Sequence, residues 1–144
     1  MTPRERRLVR DSFPIIRDEA GPLSLLFYGR LFEMDPALRP MFHGDIARQG
    51  IKLMEMLAAV VNSLDQLETL TPVLHAMGQR HTAYGVVPAH YAMVEKALTW
   101  AIGQALDLDS NAEELSAWRK VINEIGTVMK DGAALVEPLP QGNQ

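Results

Sequence analysis

The chain has 144 residues, 47% of them hydrophobic, a formal net charge of −4 and no cysteine. That length supports one domain with a single core and is too short for a second. Disulfides, thiolate metal sites and thiol catalysis are excluded together, and the 14 Lys and Arg form no dense patch for phosphate binding, so nucleic acid is not expected as a partner.

The first residues are charged and polar, with no apolar leader, and no uninterrupted apolar run is long enough for a bilayer. A cytoplasmic protein without membrane contact is expected. Thr2, Pro3 and Glu5 have the form of a capping box with proline at the first helical position, opening a helix towards Ala20. The basic cluster Arg4, Arg6, Arg7 and Arg10 is confined to it. Pro14 should kink or restart this helix, with Phe13 and Ile16 facing the core. Gly21 and Pro22 end it and begin the next, Leu23 to Met34, whose residues 25–32 are nearly all apolar; such a helix is expected to be buried on most sides. Asp35 and Pro36 cap a short helical turn ending near Phe42, His43 and Gly44, and Asp45 caps the next helix.

From Ile46 to Leu64, the positions Ile46, Gly50, Leu53, Leu57, Val60 or Val61 and Leu64 mark one apolar stripe. Gln49 breaks it, with its amide aimed inward. Thr71 and Pro72 read as an N-cap followed by proline, restarting a short helix that ends at Tyr84 and Gly85. Leu67, Leu70, Leu74, Met77 and His81 share one face there, which points His81 inward. A helix from Pro88 to Leu106 comes next, with Tyr91, Val94, Leu98, Ala101 and Ala105 on its inner face. After an acidic turn over 107–110, the last helix starts near Asn111 and carries the stripe Leu115, Trp118, Ile122, Ile125 and Met129. The domain is expected to span 1–137, with a flexible tail over 138–144. No stretch alternates with period two and none repeats. The fold class is all α, with seven or eight helices, several of them short.

Tyr28, Gln49 and His81 are inward polar side chains that the fold pattern leaves unexplained. Taken singly, each has an ordinary structural role open to it; taken together they call for a shared partner. Zinc is a poor candidate, because His43, His75, His81 and His90 include no pair at helical spacing and there is no cysteine. His75, six residues before His81, is turned away from the inward face. A hydrolase triad lacks both a Gly-x-Ser-x-Gly element and an inward acid for His81.

The motifs Leu25-Leu-Phe-Tyr-Gly-Arg-Leu-Phe32, Pro40-Met-Phe42, Gln49 with Lys52-Leu-Met54, and Arg80-His-Thr-Ala-Tyr-Gly-Val86 leading to His90-Tyr91 resemble a globin in order and spacing. Within globins the chain is similar to bacterial single-domain globins and to the haem domain of flavohaemoglobins, over roughly residues 5 to 130. The resemblance implies a haem b (iron protoporphyrin IX) between the helices of Gln49 and His81. His81 would ligate the iron, Phe42 would stack on the porphyrin, and Tyr28 with Gln49 would face the distal site. Leu53 would wall that site, Val94 the proximal side. In flavohaemoglobins a tyrosine matching Tyr91 works with a glutamate late in the last helix. Counting from Trp118, the matching position here is Leu135, with Asp131 and Glu137 off register. His43 is either a propionate contact or a solvated loop histidine, and the solvated reading is preferred.

The preferred function implied is reversible binding of O2, or of another diatomic such as NO or CO, by a carrier, store or scavenger. An alternative is a nitric oxide dioxygenase in which Tyr28 and Gln49 hold O2 while nitric oxide attacks it and nitrate leaves. With no flavin domain after residue 144, turnover is expected to need an external reductase. A third is a haem-free or haem-sensing interaction domain, which the inward trio argues against in its haem-free form.

Overall fold

A computed structural model describes residues 1–42 and 45–135. Among them are six α-helices and two 3₁₀ segments, and no strand. His43, Gly44, Glu137 and the expected tail with its boundary at 137 lie outside the described residues.

Helix α1 (Pro3–Asp18) opens on the expected capping box: Glu5 N–H donates to Thr2 Oγ1 at 3.1 Å and Thr2 N–H to Glu5 Oε1 at 2.8 Å. It neither stops nor restarts at Pro14. That residue is exposed, so the Arg10 carbonyl left without a donor can be met by water. Phe13 and Ile16 are buried as expected. Buried Ser12 was not expected; its hydroxyl donates to the Leu8 carbonyl at 2.7 Å and accepts from the Trp118 indole N–H at 2.8 Å, joining α1 to the last helix.

Helix α2 (Ala20–Met34) begins three residues before the expected start. It is not buried on most sides: Leu25 is 70% exposed, and Leu26 and Met34 are exposed too. Only the face with Leu23, Ser24, Phe27, Tyr28 and Leu31 is covered, by α3 and α5. An apolar run reports composition, whereas burial depends on the one side on which neighbouring helices lie. A 3₁₀ segment (Pro36–Met41) comes next, capped by Asp35 through a 3.1 Å bond from Ala37 N–H.

Helix α3 (Ile46–Asn62) is capped by Asp45 and crosses α2 where a Cβ on Gly50 would lie 2.6 Å from Ser24 Oγ. A second 3₁₀ segment (Leu64–Leu70) leads into α4 (Thr71–Ala83). Thr71 is the first helical residue and makes no side-chain cap, one position from the expected arrangement. Tyr84 and Gly85, the latter at φ +99°, stop α4. Helix α5 (Pro88–Leu106) has the expected bounds and ends on Asp107 in the left-handed conformation, φ 53°. Helix α6 (Glu113–Ala134) starts slightly late and buries all five residues of its expected stripe. The core runs between α1, α2, α5 and α6 around Trp118, Ile16, Leu23 and Ile102. Among the described residues no helix is long and apolar enough to cross a membrane.

Candidate functional site

Helix α4 packs on α6 and on the 3₁₀ segment before it, and has at most a marginal backbone contact with α3 or α5. The helix of Gln49 and the helix of His81 thus stand apart instead of packing together. Many apolar side chains here are half-buried, not fully covered, including Phe32, Phe42, Leu53, Met77, Tyr91 and Val94. Half-covered apolar surface turned towards the core is what borders a gap between helices. Met41 closes part of an edge: its Cε lies 3.8 Å from where a Cβ on Gly85 would sit.

His81, two residues before the end of α4, is half-buried. Its Nδ1 is 2.6 Å from the Met77 carbonyl oxygen, one helical turn back. A carbonyl only accepts, so Nδ1 carries the proton and Nε2 keeps a free lone pair. Burial, assisted by the positive charge of Arg80, lowers the pKa of His81 against the bond to Met77, which opposes the shift. Burial and the Arg80 charge both favour the neutral imidazole, with the Nε2 lone pair free.

On the other side, Tyr28 sits in an aromatic cluster. Its ring centroid is 4.8 Å from that of Phe27, 6.2 Å from Phe32 and 5.4 Å from Phe42, the last edge-on. Burial alone pushes its hydroxyl up to about 12, with no hydrogen bond contributing. It stays an O–H donor across the physiological range. Gln49 directly precedes Gly50, so the α2–α3 crossing holds it beside the helix of Tyr28. Gln49 and His81 are half-buried, whereas the sequence pattern points them into the core. The buried small hydroxyl residues among the described ones are Ser12, Ser24 and Thr99, which periodicity does not single out because so small a side chain passes for apolar.

Tyr91 lies on α5 facing α6, where a Cβ on Gly126 would be 3.5 Å from its ring and the Lys130 ammonium is 5.8 Å from its centroid. Its hydroxyl is buried and has no hydrogen-bond partner among the described residues. Leu135 caps α6 and is exposed, as is Asp131, so neither supplies the carboxylate that a flavohaemoglobin sets against this tyrosine. A free imidazole nitrogen, phenols with donors to spare and a border of half-covered apolar side chains fit a flat, largely apolar iron macrocycle. The chain has no cysteine, and the described residues hold no cluster of three His, Asp or Glu.

Comparison with known proteins agrees. The Globin family profile matches residues 25–129. The flavohemoprotein of Bordetella parapertussis is 27% identical over 90% of this chain, which spans only a third of that protein's length. Neuroglobin of Tetraodon nigroviridis is 26% identical, with 93% of each chain covered. Among solved structures, an engineered carbene transferase made from a Rhodothermus marinus protein assigned as a nitric oxide dioxygenase superposes with a TM-score of 0.82 at 28% identity, covering 93% of this chain and 94% of that one. A bacterial globin from Campylobacter jejuni superposes at 0.80 with 22% identity, over 92% of this chain and 96% of its own, and speaks to the fold alone. With its helical order and a family match over most of its length, the chain belongs to the globin family.

Proposed function

We propose that this globin holds haem b and reversibly binds O2 or another small diatomic. The observation that carries this is the 2.6 Å contact of His81 Nδ1 with the Met77 carbonyl, which fixes the tautomer whose Nε2 can ligate iron. When bound, the haem supplies an iron with a coordination position open to a diatomic. His81 would hold the group from α4, and Phe42, Leu53 and Val94 would pack against it and exclude water. Tyr91 borders the proximal side. Tyr28, kept protonated by burial, and Gln49 offer hydrogen bonds to the negative end of the diatomic. The absence of cysteine from this chain favours non-covalent haem b over a thioether-attached haem. Cytoplasmic location and an external reductase belong to the same proposal.

Absorption spectra of the purified protein test it. The Soret band should move on reduction and again with CO, and a protein that takes up no haem overturns the proposal.

The likeness to a Rhodothermus marinus protein assigned as a nitric oxide dioxygenase, together with a Tyr28 hydroxyl kept protonated by burial, favours that activity as a second reading. The reduced, O2-equilibrated protein should then consume nitric oxide in one stoichiometric burst, and continue when NADH and a reductase are supplied. Absence of the burst on a nitric oxide electrode rejects this activity.

A further inference from the structure

Helix α4 carries His81 yet leans on little besides α6, and it meets α6 more closely than side chains allow. A Cβ on Gly78 would lie 1.9 Å from the Met129 carbonyl oxygen, and one on Gly132 would lie 2.3 Å from His75 Cα. Both glycines are buried. Gln79 adds a bond, its Nε2–H donating to the Gly132 carbonyl at 3.3 Å. Two glycines on facing helices thus bring backbone against backbone, and a backbone cannot turn aside as a flexible side chain can. At about 100° per residue, His75, Gly78 and Gln79 lie roughly 120° round α4 from the stripe of Leu74, Met77 and His81.

We infer that this Gly78–Gly132 seam positions the proximal helix, so that α6, from outside the pocket, sets where the His81 imidazole stands against the haem. The inference rests on His81 as the iron ligand. A side chain at Gly132 forces α4 off α6 by about 1 Å before ordinary contact is restored. Because the seam and the His81 stripe face different ways, that shift carries the imidazole sideways and tilts it.

Gly132→Ala tests this, with Gly103→Ala as control. At Gly103 the added methyl comes within 3.4 Å of only the Leu115 Cδ1 methyl, at 3.0 Å, on the α5–α6 side; Leu115 Cδ2 at 3.6 Å and the Leu108 carbonyl at 3.8 Å are ordinary contacts. In the haem-free protein, Gly132→Ala should move the His81 ring resonances by NMR, and Gly103→Ala should not. In the haem-loaded protein, Gly132→Ala should lower the iron–imidazole stretching frequency in the resonance Raman spectrum and speed haem loss about tenfold, the size expected of an overpacked seam. The control should keep the wild-type frequency even where its melting temperature falls equally. If Gly132→Ala does not fold, Gln79→Ala should shift the same resonances in the same direction by less. The seam is refuted if the substitution that folds leaves the His81 resonances and the stretching frequency at wild type, or if Gly103→Ala moves them as far. A wild-type protein without an iron–imidazole band overturns the ligand assignment instead, and the haem-free spectra still decide the seam.

Discussion

Replacing Tyr28 by Phe separates binding from folding at one atom. The hydroxyl lies in a side chain only 5% exposed, ringed by Phe27, Phe32 and Phe42, and its pKa rises to about 12 through burial alone. No hydrogen bond contributes to that shift, so removing the hydroxyl strands no protein partner. Tyr28→Phe keeps the ring contacts, so stability should stay within about 0.5 kcal/mol of wild type. O2 should tell the opposite story. One hydrogen bond to a partly negative diatomic in a dry pocket is worth about 1 to 2 kcal/mol, so its loss should raise the O2 dissociation rate on the order of tenfold. CO carries little charge and should respond far less. Stopped-flow displacement of each gas, beside thermal unfolding followed by circular dichroism, measures both halves. Equal changes for O2 and CO, or a melting temperature that drops while O2 dissociation is unchanged, would refute the assignment and make the hydroxyl structural.

Three further outcomes are expected. His81→Ala should abolish tight haem retention, while His75→Ala should leave the haem spectrum unchanged because alanine keeps the Cβ that faces Gly132; the reverse result would show the register of α4 to be wrong. Ser12→Ala should cost about 1 to 3 kcal/mol in urea unfolding, since it strands the indole N–H of Trp118, a residue with no exposed surface, and a neutral result would mean that another acceptor takes its place. The raised pKa of Tyr28 favours its neutral form in the folded state. The folded state therefore resists ionisation that the unfolded chain undergoes from pH 10, so the stabilisation is complete below pH 10 and lost as pH rises to about 12. Over that window roughly 2 to 3 kcal/mol should disappear, and Tyr28→Phe should flatten the loss; an unchanged alkaline profile in the variant would exclude Tyr28 as its source.

Local rules written into the sequence determined the elements. Thr2 with Glu5, Asp35 and Asp45 start their helices because a short side-chain oxygen reaches backbone N–H groups that have no other partner. Pro88 and Gly85 bound α4 and α5 through fixed φ and through φ +99°, and the stripe of α6 is buried residue for residue. The spacing of Leu74, Met77 and His81, three residues and then four, sets the histidine on the same face of α4 as buried Leu74. What periodicity could not decide is which neighbours arrive. The apolar run over 25–32 looks alike on all sides, and only the docking of α3 and α5 chose its inner face and left Leu25 in solvent. The tautomer of His81 depends on which acceptor lies within reach, and the partnerless hydroxyl of Tyr91 depends on α6 presenting Gly126 and Lys130 there. Gly78 and Gly132 lie 54 positions apart in the chain, and neither marks a turn. Their meaning exists only where two helix backbones meet, because the absence of a Cβ is informative only once something else occupies its place.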